Sequence, residues 1–204
     1  MDTRLRRSAT GIALAAALAA GGCASARLPA PEILAAARET STYSARLGVS
    51  YSGPRGRART AALVAFARPD SLRVEIPGPS GARVVAVARE GRLTAVFPRE
   101  RAVFESAADA AGIEAALGLD LTPSEIMDLL VGAPPARLAS ARVRWGARHP
   151  HDIDARFADG THLHLRANDV IAPAELGVAA FADPPHPAYR SVDADEAREL
   201  LTRR

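Results

Sequence analysis

The segment from Ser71 to Phe97, SLRVEIPGPSGARVVAVAREGRLTAVF, decides the fold. Leu72, Val74 and Ile76 share one face of a period-2 pattern while Arg73 and Glu75 share the other, which is a strand buried on one side. Gly78-Pro79-Ser80-Gly81 interrupts it. Val84 to Ala88 is apolar on both faces, so this second strand needs a cover on each side. Glu90-Gly91 then places a glycine where a two-residue hairpin requires positive φ, returning the chain into Leu93 to Phe97. Three strands joined by two tight turns begin a large antiparallel sheet.

Further strands extend it in both directions. Tyr43 to Tyr51 carries Leu47, Val49 and Tyr51 on one face, and Arg57 to Arg68 carries Val64 and Phe66; the cluster Gly53-Pro54-Arg55-Gly56 turns between them. After Pro98-Arg99-Glu100-Arg101 comes a short strand, Ala102 to Glu105, so this part of the chain is an up-and-down meander. Strands resume at Ala141 to Ala147, Ile153 to Phe157 and Thr161 to Ala167, the last two joined at Asp159-Gly160. Glu175 to Phe181 is read as one more strand.

Helices are announced by their caps. Thr122-Pro123-Ser124-Glu125 is a capping box with proline at the first helical position, and Ile126, Met127, Leu129, Leu130 and Val131 then give an apolar face too wide to leave in water. Gly132 ends it, with Pro134 beyond. A weaker helix, about Ala108 to Leu117, precedes it; Pro31 to Arg38 opens the domain and Asp193 caps a final helix. The two central helices interrupt a single sheet, so their expected place is across its open side. The class is therefore mainly β with helices, α+β: a half-open antiparallel barrel covered by helices.

Composition bounds the rest. A chain of 204 residues, 48% hydrophobic and 24% charged, forms one domain with a substantial core. Net charge is +3, and loss of residues 1–22 would lower it by two, which is no nucleic-acid signature. The single cysteine excludes an internal disulfide and any cysteine-cluster metal site. That cysteine follows Arg4, Arg6 and Arg7, an apolar run from Gly11 to Ala20, and the small residues Ala20-Gly21-Gly22. The run is far shorter than the roughly 20 residues of a membrane span, so 1–22 reads as a secretory leader. Ala20-Gly21-Gly22-Cys23 resembles the lipobox of bacterial lipoproteins, which implies lipidation at Cys23, a tether over 23–30 and a single domain over 31–204. Ala24 after the cysteine, in place of aspartate, implies the outer membrane.

The order of strands, the RPDSLRVEIPGPSG stretch, the LGLDLTPSE segment at 117–125 and the LLVGAP segment at 129–134 together resemble the LolB-like family of outer-membrane lipoprotein receptors over about residues 40–170. The resemblance implies a periplasm-facing monomer that takes acyl chains of lipoproteins from a LolA-like periplasmic carrier. It would hold them in an apolar cavity and deliver them to the outer membrane, with no cofactor, no nucleic acid and no catalytic residue. The residues expected to line that cavity are Leu47, Val49, Val64, Phe66, Leu72, Val74, Ile76, Val85, Val87, Leu93, Ile126 and Leu130. The alternative is a lipid-anchored interaction module whose barrel is filled by side chains. The family's insertion step belongs to a leucine in a Pro-Leu-Gly loop; here the candidate membrane-facing loop is Pro79-Ser80-Gly81, with serine in the leucine's place.

Two other chemistries fit the residues less well. Gly78-Pro79-Ser80-Gly81 lacks the spacing and the strand-to-helix setting of a hydrolase nucleophile elbow. His162 and His164, with His149, His151 and Asp152, have zinc-compatible types, but two histidines on an exposed strand face are the plainer reading, and no metal is expected.

Overall fold

The computed structural model describes residues 29–54 and 56–203. The leader, Cys23 and most of the tether lie outside the described residues. Ten strands, β1 (Thr42–Gly53), β2 (Gly56–Ala67), β3 (Ser71–Gly78), β4 (Gly81–Arg89), β5 (Arg92–Phe97), β6 (Ala102–Ala107), β7 (Ser140–Trp145), β8 (Pro150–Arg156), β9 (His162–Ile171) and β10 (Arg190–Ser191), form one sheet. Their order is β10-β6-β5-β4-β3-β2-β1-β9-β8-β7. Every pairing is antiparallel except β10 with β6, and the sheet stays open, with β7 and β10 at its edges. Among the described residues the helices are α1 (Pro31–Arg38), α2 (Ala110–Leu117), α3 (Pro123–Leu130) and α4 (Ala194–Thr202).

The turns follow the chemistry of their residues. Glu90 (φ 51°) and Gly91 (φ 76°) both adopt positive φ between the paired Arg89 and Arg92, the type I′ geometry that matches the right-handed twist of a hairpin. The Pro79-Ser80 connection is tighter than a four-residue loop, because Gly78 and Gly81 pair across it. At α3 the capping box is complete: the Glu125 carboxylate accepts from the Thr122 amide at 2.8 Å and the Thr122 hydroxyl accepts from the Glu125 amide at 3.3 Å.

The sheet is strongly curved. Helix α3 touches both β3 and β8, between which lie β2, β1 and β9. Four strand spacings span about 19 Å on a flat sheet, wider than the roughly 10–12 Å of a helix, so the sheet must bend around α3. Helix α2 packs on β5, β6 and α4. Inward-facing Leu47, Val64, Val74, Val84, Ala86, Leu93 and Phe97 merge with Ile113, Ile126, Met127, Leu130 and Leu200 into one core.

The outer face of β4 and β5 is also closed. Val85, Val87 and Val96 are buried there, outside the main core, and the 3₁₀ turn Val178–Phe181 lies against β3 and β4 with Phe181 buried. This supplies the second cover that the doubly apolar strand required. It also corrects the reading of Glu175 to Phe181 as a strand: the sheet edge beside β6 is taken by Arg190–Ser191, and the segment serves better lying across an apolar face than adding to an edge.

Candidate functional site

The register divides the inside of the barrel into two ends. Tyr43, Phe66, Leu72, Ala88 and Leu93 follow one another across β1 to β5 at one end. Here the interior is filled: Tyr43 and Phe66 stack with centroids 5.1 Å apart and 5° between planes, and both rings are buried. Burial pushes the Tyr43 phenol well above its ordinary pKa, so it stays neutral.

At the other end the side chains do not meet. A cavity of about 460 Å³ lies between the concave sheet and the helices. Its floor is Leu47 and Val49 of β1, Val64 of β2, Val74 and Ile76 of β3, and Leu163 and Leu165 of β9, while Ile126 and Leu130 of α3 roof it. Leu117, Leu119 and Leu201 close the helical side. Helix α3 is held in place by Arg68, whose guanidinium donates to Asp128 at 2.6 Å and to the Thr40 carbonyl at 3.2 Å. Its N-terminus is held by Arg137, which donates to Glu125 at 2.7 and 2.8 Å and to Asp120 at 3.1 Å.

Seven of the expected lining residues, Leu47, Val49, Val64, Val74, Ile76, Ile126 and Leu130, thus surround this space. Phe66, Leu72 and Leu93 face the same way but belong to the filled end, because their rows of the register lie beyond the cavity. Val85 and Val87 are a correction: pleating sends them to the outer face, and Val84, Ala86 and Ala88 are the inward residues of β4. Leu163 and Leu165 were missed, although they alternate with His162 and His164 in a plain period-2 pattern. Pro79, Ser80 and Gly81 are exposed, at the same end of the sheet as the cavity mouth.

The mouth is polar and cationic. Arg83 and Arg198 line it with Tyr51 and Thr60, and Arg57 and Arg59 border it on β2 at the positions that alternate with the inward Ala58 and Thr60. Arg83 donates to the carbonyl of Leu201 at 2.7 Å and to that of Arg203, gripping the C-terminal end of α4. Arg198 donates to Glu114 at 2.7 Å and to Asp195 at 2.6 Å. Arg57 and Arg59 are exposed and have no carboxylate partner among the described residues.

His151, His162 and His164 face acids rather than one another. His162 Nε2 lies 2.5 Å from Asp154, His164 Nε2 lies 3.2 Å from Asp152, and His151 Nδ1 lies 2.7 Å from the same Asp152. Partial burial pushes the Asp152 carboxyl up, but its two histidine contacts outweigh this and hold it below the ordinary value. Among the described residues no three His, Cys, Asp or Glu side chains cluster as metal ligands, and no helix is long and apolar enough to cross a membrane.

No family model and no curated protein matches the sequence. Among solved structures the chain is similar to a LolA superfamily protein from Nitrosomonas europaea (TM-score 0.47, 11% identity, 76% of this chain and 98% of that one). It is also similar to an uncharacterised conserved protein from Thermus thermophilus (0.46, 12%, 79% and 97%). A third likeness is to a putative outer membrane lipoprotein-sorting protein domain from Vibrio parahaemolyticus (0.41, 8%, 84% and 97%).

Proposed function

We propose that the protein is a lipid-anchored, periplasm-facing outer-membrane factor that receives the acyl chains of lipoproteins from a LolA-like carrier and helps deliver them to the outer membrane. The observation that carries this reading is the apolar cavity of about 460 Å³ between the concave sheet and α3. Shielding an acyl chain is worth about 0.8 kcal/mol per methylene, on the order of 10 kcal/mol for a long chain, and a concave apolar surface supplies that shield. The task is binding and release, with no covalent step and no catalytic group. Lipidation at Cys23 would keep the site beside its target membrane, with two or three chains needed for stable attachment.

Two measurements test it. The Cys23→Ser protein, purified without detergent, is expected to bind a fluorescent fatty acid saturably with micromolar or better affinity and to accept a labelled lipoprotein from its own periplasmic carrier. Absence of saturable binding overturns the reading and leaves an interaction module. Release of the Cys23→Ser protein from membranes by high salt and carbonate, with the native protein retained, is the expected result for the anchor.

A further inference from the structure

The outer face of the sheet takes no part in the acyl site, and along β2, β1, β9, β8 and β7 it is strongly cationic. Side chains directly opposite one another in an antiparallel pair share a face, so the register can be followed from strand to strand. One row runs Arg57, Ser52, His162, Arg156, and the next runs Arg59, Ser50, His164, Asp154, Arg142. A third runs Arg166, Asp152, Arg144. Arg46 opposite Leu63, and Ile171 opposite Ser44, extend the same face. All of these arginines are exposed, and none has a carboxylate partner among the described residues.

Elsewhere the fold engages its arginines: Arg68 with Asp128, Arg137 with Glu125, Arg190 with Glu196 and Arg198 with Glu114. On the outer face Asp152 and Asp154 stand opposite Arg144 and Arg142, but their oxygens contact His151, His164 and His162. Asp169 sits at the margin, in the irregular stretch between Asn168 and Ile171. Five strands span only about 19 Å. Cationic charge gathered at this density repels itself, and a layer of anions relieves the repulsion.

Two observations say which anions. The exposed large hydrophobics among the described residues, Leu63 at 45% and Ile171 at 58%, both lie on this face. Aliphatic groups among arginines suit a phospholipid surface, where guanidiniums take the phosphates and the aliphatic groups enter the headgroup layer, better than they suit nucleic acid. The proposed anchor also puts such a surface within reach, since the chain from Cys23 to Pro29 spans at most about 21 Å.

We propose that the outer face of β2, β1, β9, β8 and β7 docks on an anionic phospholipid surface, with its arginines on lipid phosphates and Leu63 and Ile171 in the headgroup layer. This goes beyond the acyl site; only the nearness of the bilayer rests on the anchor read at Cys23. Docked this way, the strands lie along the membrane and the helices face away from it. The cavity mouth, at the Tyr51 end of β1, then opens along the surface.

The test uses the mature chain, 23–204, with Cys23→Ser so that no lipid holds it. It is sedimented with vesicles of phosphatidylcholine alone or of phosphatidylcholine mixed with phosphatidylglycerol. Binding to the anionic vesicles is expected to be at least about tenfold tighter and to weaken as salt rises. A basic residue near an anionic surface strengthens binding about fivefold, so Arg57→Gln with Arg59→Gln and Arg166→Gln should weaken it about a hundredfold, with an unchanged unfolding midpoint. Arg38→Gln with Arg92→Gln and Arg99→Gln removes the same charge from exposed sites outside these strands and should weaken it less than about fivefold. Val64→Trp, which fills the cavity, should bind the vesicles as its parent does, and the variant of the outer face should keep its acyl-probe affinity within about twofold. Failure of the acyl site and failure of the docking face therefore show separately. Equal binding to both kinds of vesicle, binding to neither, or an equal loss in the two triple variants overturns the inference. Binding to a DNA duplex but not to anionic vesicles also overturns it and assigns the face to nucleic acid.

Discussion

Gly132 lies directly against the indole of Trp145: a methyl group built on Gly132 would stand 2.4 Å from Cζ2 of that ring and 2.9 Å from Cη2. Gly132 also has a φ of 80°, which side chains rarely adopt. Gly132→Ala therefore combines backbone strain with a collision, and is expected to cost about 2–4 kcal/mol in urea unfolding. Gly91, with a φ of 76° and open space around it, is the control: Gly91→Ala should cost only about 1–2 kcal/mol. Equal costs would mean that Trp145 yields and that the glycine stop of α3 is not braced by β7.

Val64 and Val87 are both buried valines of the meander, yet they face opposite sides of the sheet. Val64→Trp should fill the cavity and abolish acyl-probe binding while leaving the unfolding midpoint within a few degrees. Val87→Ala should do the reverse, costing about 2 kcal/mol of stability and leaving affinity within about twofold. Calorimetry and probe titration on the two variants check both halves.

The capping box of α3 makes an acid-sensitive contribution. Burial pushes the Glu125 carboxyl up, but hydrogen bonds from Arg137 and Thr122 outweigh it and hold the group below its ordinary value. A carboxyl depressed in the folded state binds fewer protons there than in the unfolded chain. Its stabilisation is present above the unfolded carboxylate range, near pH 4.5, and is lost as pH falls through the lower folded value. Glu125→Gln should therefore be less stable than the native protein at neutral pH, with the difference vanishing toward about pH 3. Thr122→Ala should cost about 1 kcal/mol at neutral pH by removing the side-chain acceptor. Unfolding curves over this pH range decide.

Ser80 occupies the exposed tip of the β3–β4 hairpin, where the family that the sequence resembles places a leucine. Ser80→Leu should leave the fold intact, because the side chain is exposed, and, if the protein has the transfer activity proposed above, should raise transfer of lipoprotein into membranes. An unchanged transfer rate would show that this hairpin does not perform the insertion step in this protein.

Local grammar was legible in the sequence wherever neighbouring residues decide the outcome. The Glu90-Gly91 turn, the Thr122 to Glu125 cap and the alternation of Leu72, Val74 and Ile76 all act within a few residues, and the structure has each of them. Pairing of β1 with β9 was not legible, because it depends on which distant strand reaches a free edge. The doubly apolar Val84 to Ala88 announces two covers without saying which face is the cavity's, so its pattern alone does not separate the outward Val85 and Val87 from the inward Val84 and Ala86. The cavity shared this limit. Its aliphatic residues are the ones a filled core would use, and only the register separates the end packed by Tyr43 and Phe66 from the end left open.

The strand order also dictates a sequence of events during folding. Strands β1 to β6 are joined by short turns and can form as a unit, but β1 must wait for β9, more than half the chain length away, as in Ser52 with His162. Until then both margins of the meander offer unpaired backbone to any other strand. The last third of the chain relieves this at both margins, adding β9, β8 and β7 on one side and β10 on the other. The margins it leaves behind are poor templates: β7 carries the exposed Arg142 and Arg144, and β10 is two residues long. Loss of the C-terminal segment would therefore expose a finished-looking sheet with sticky sides, and aggregation rather than simple unfolding is its expected fate.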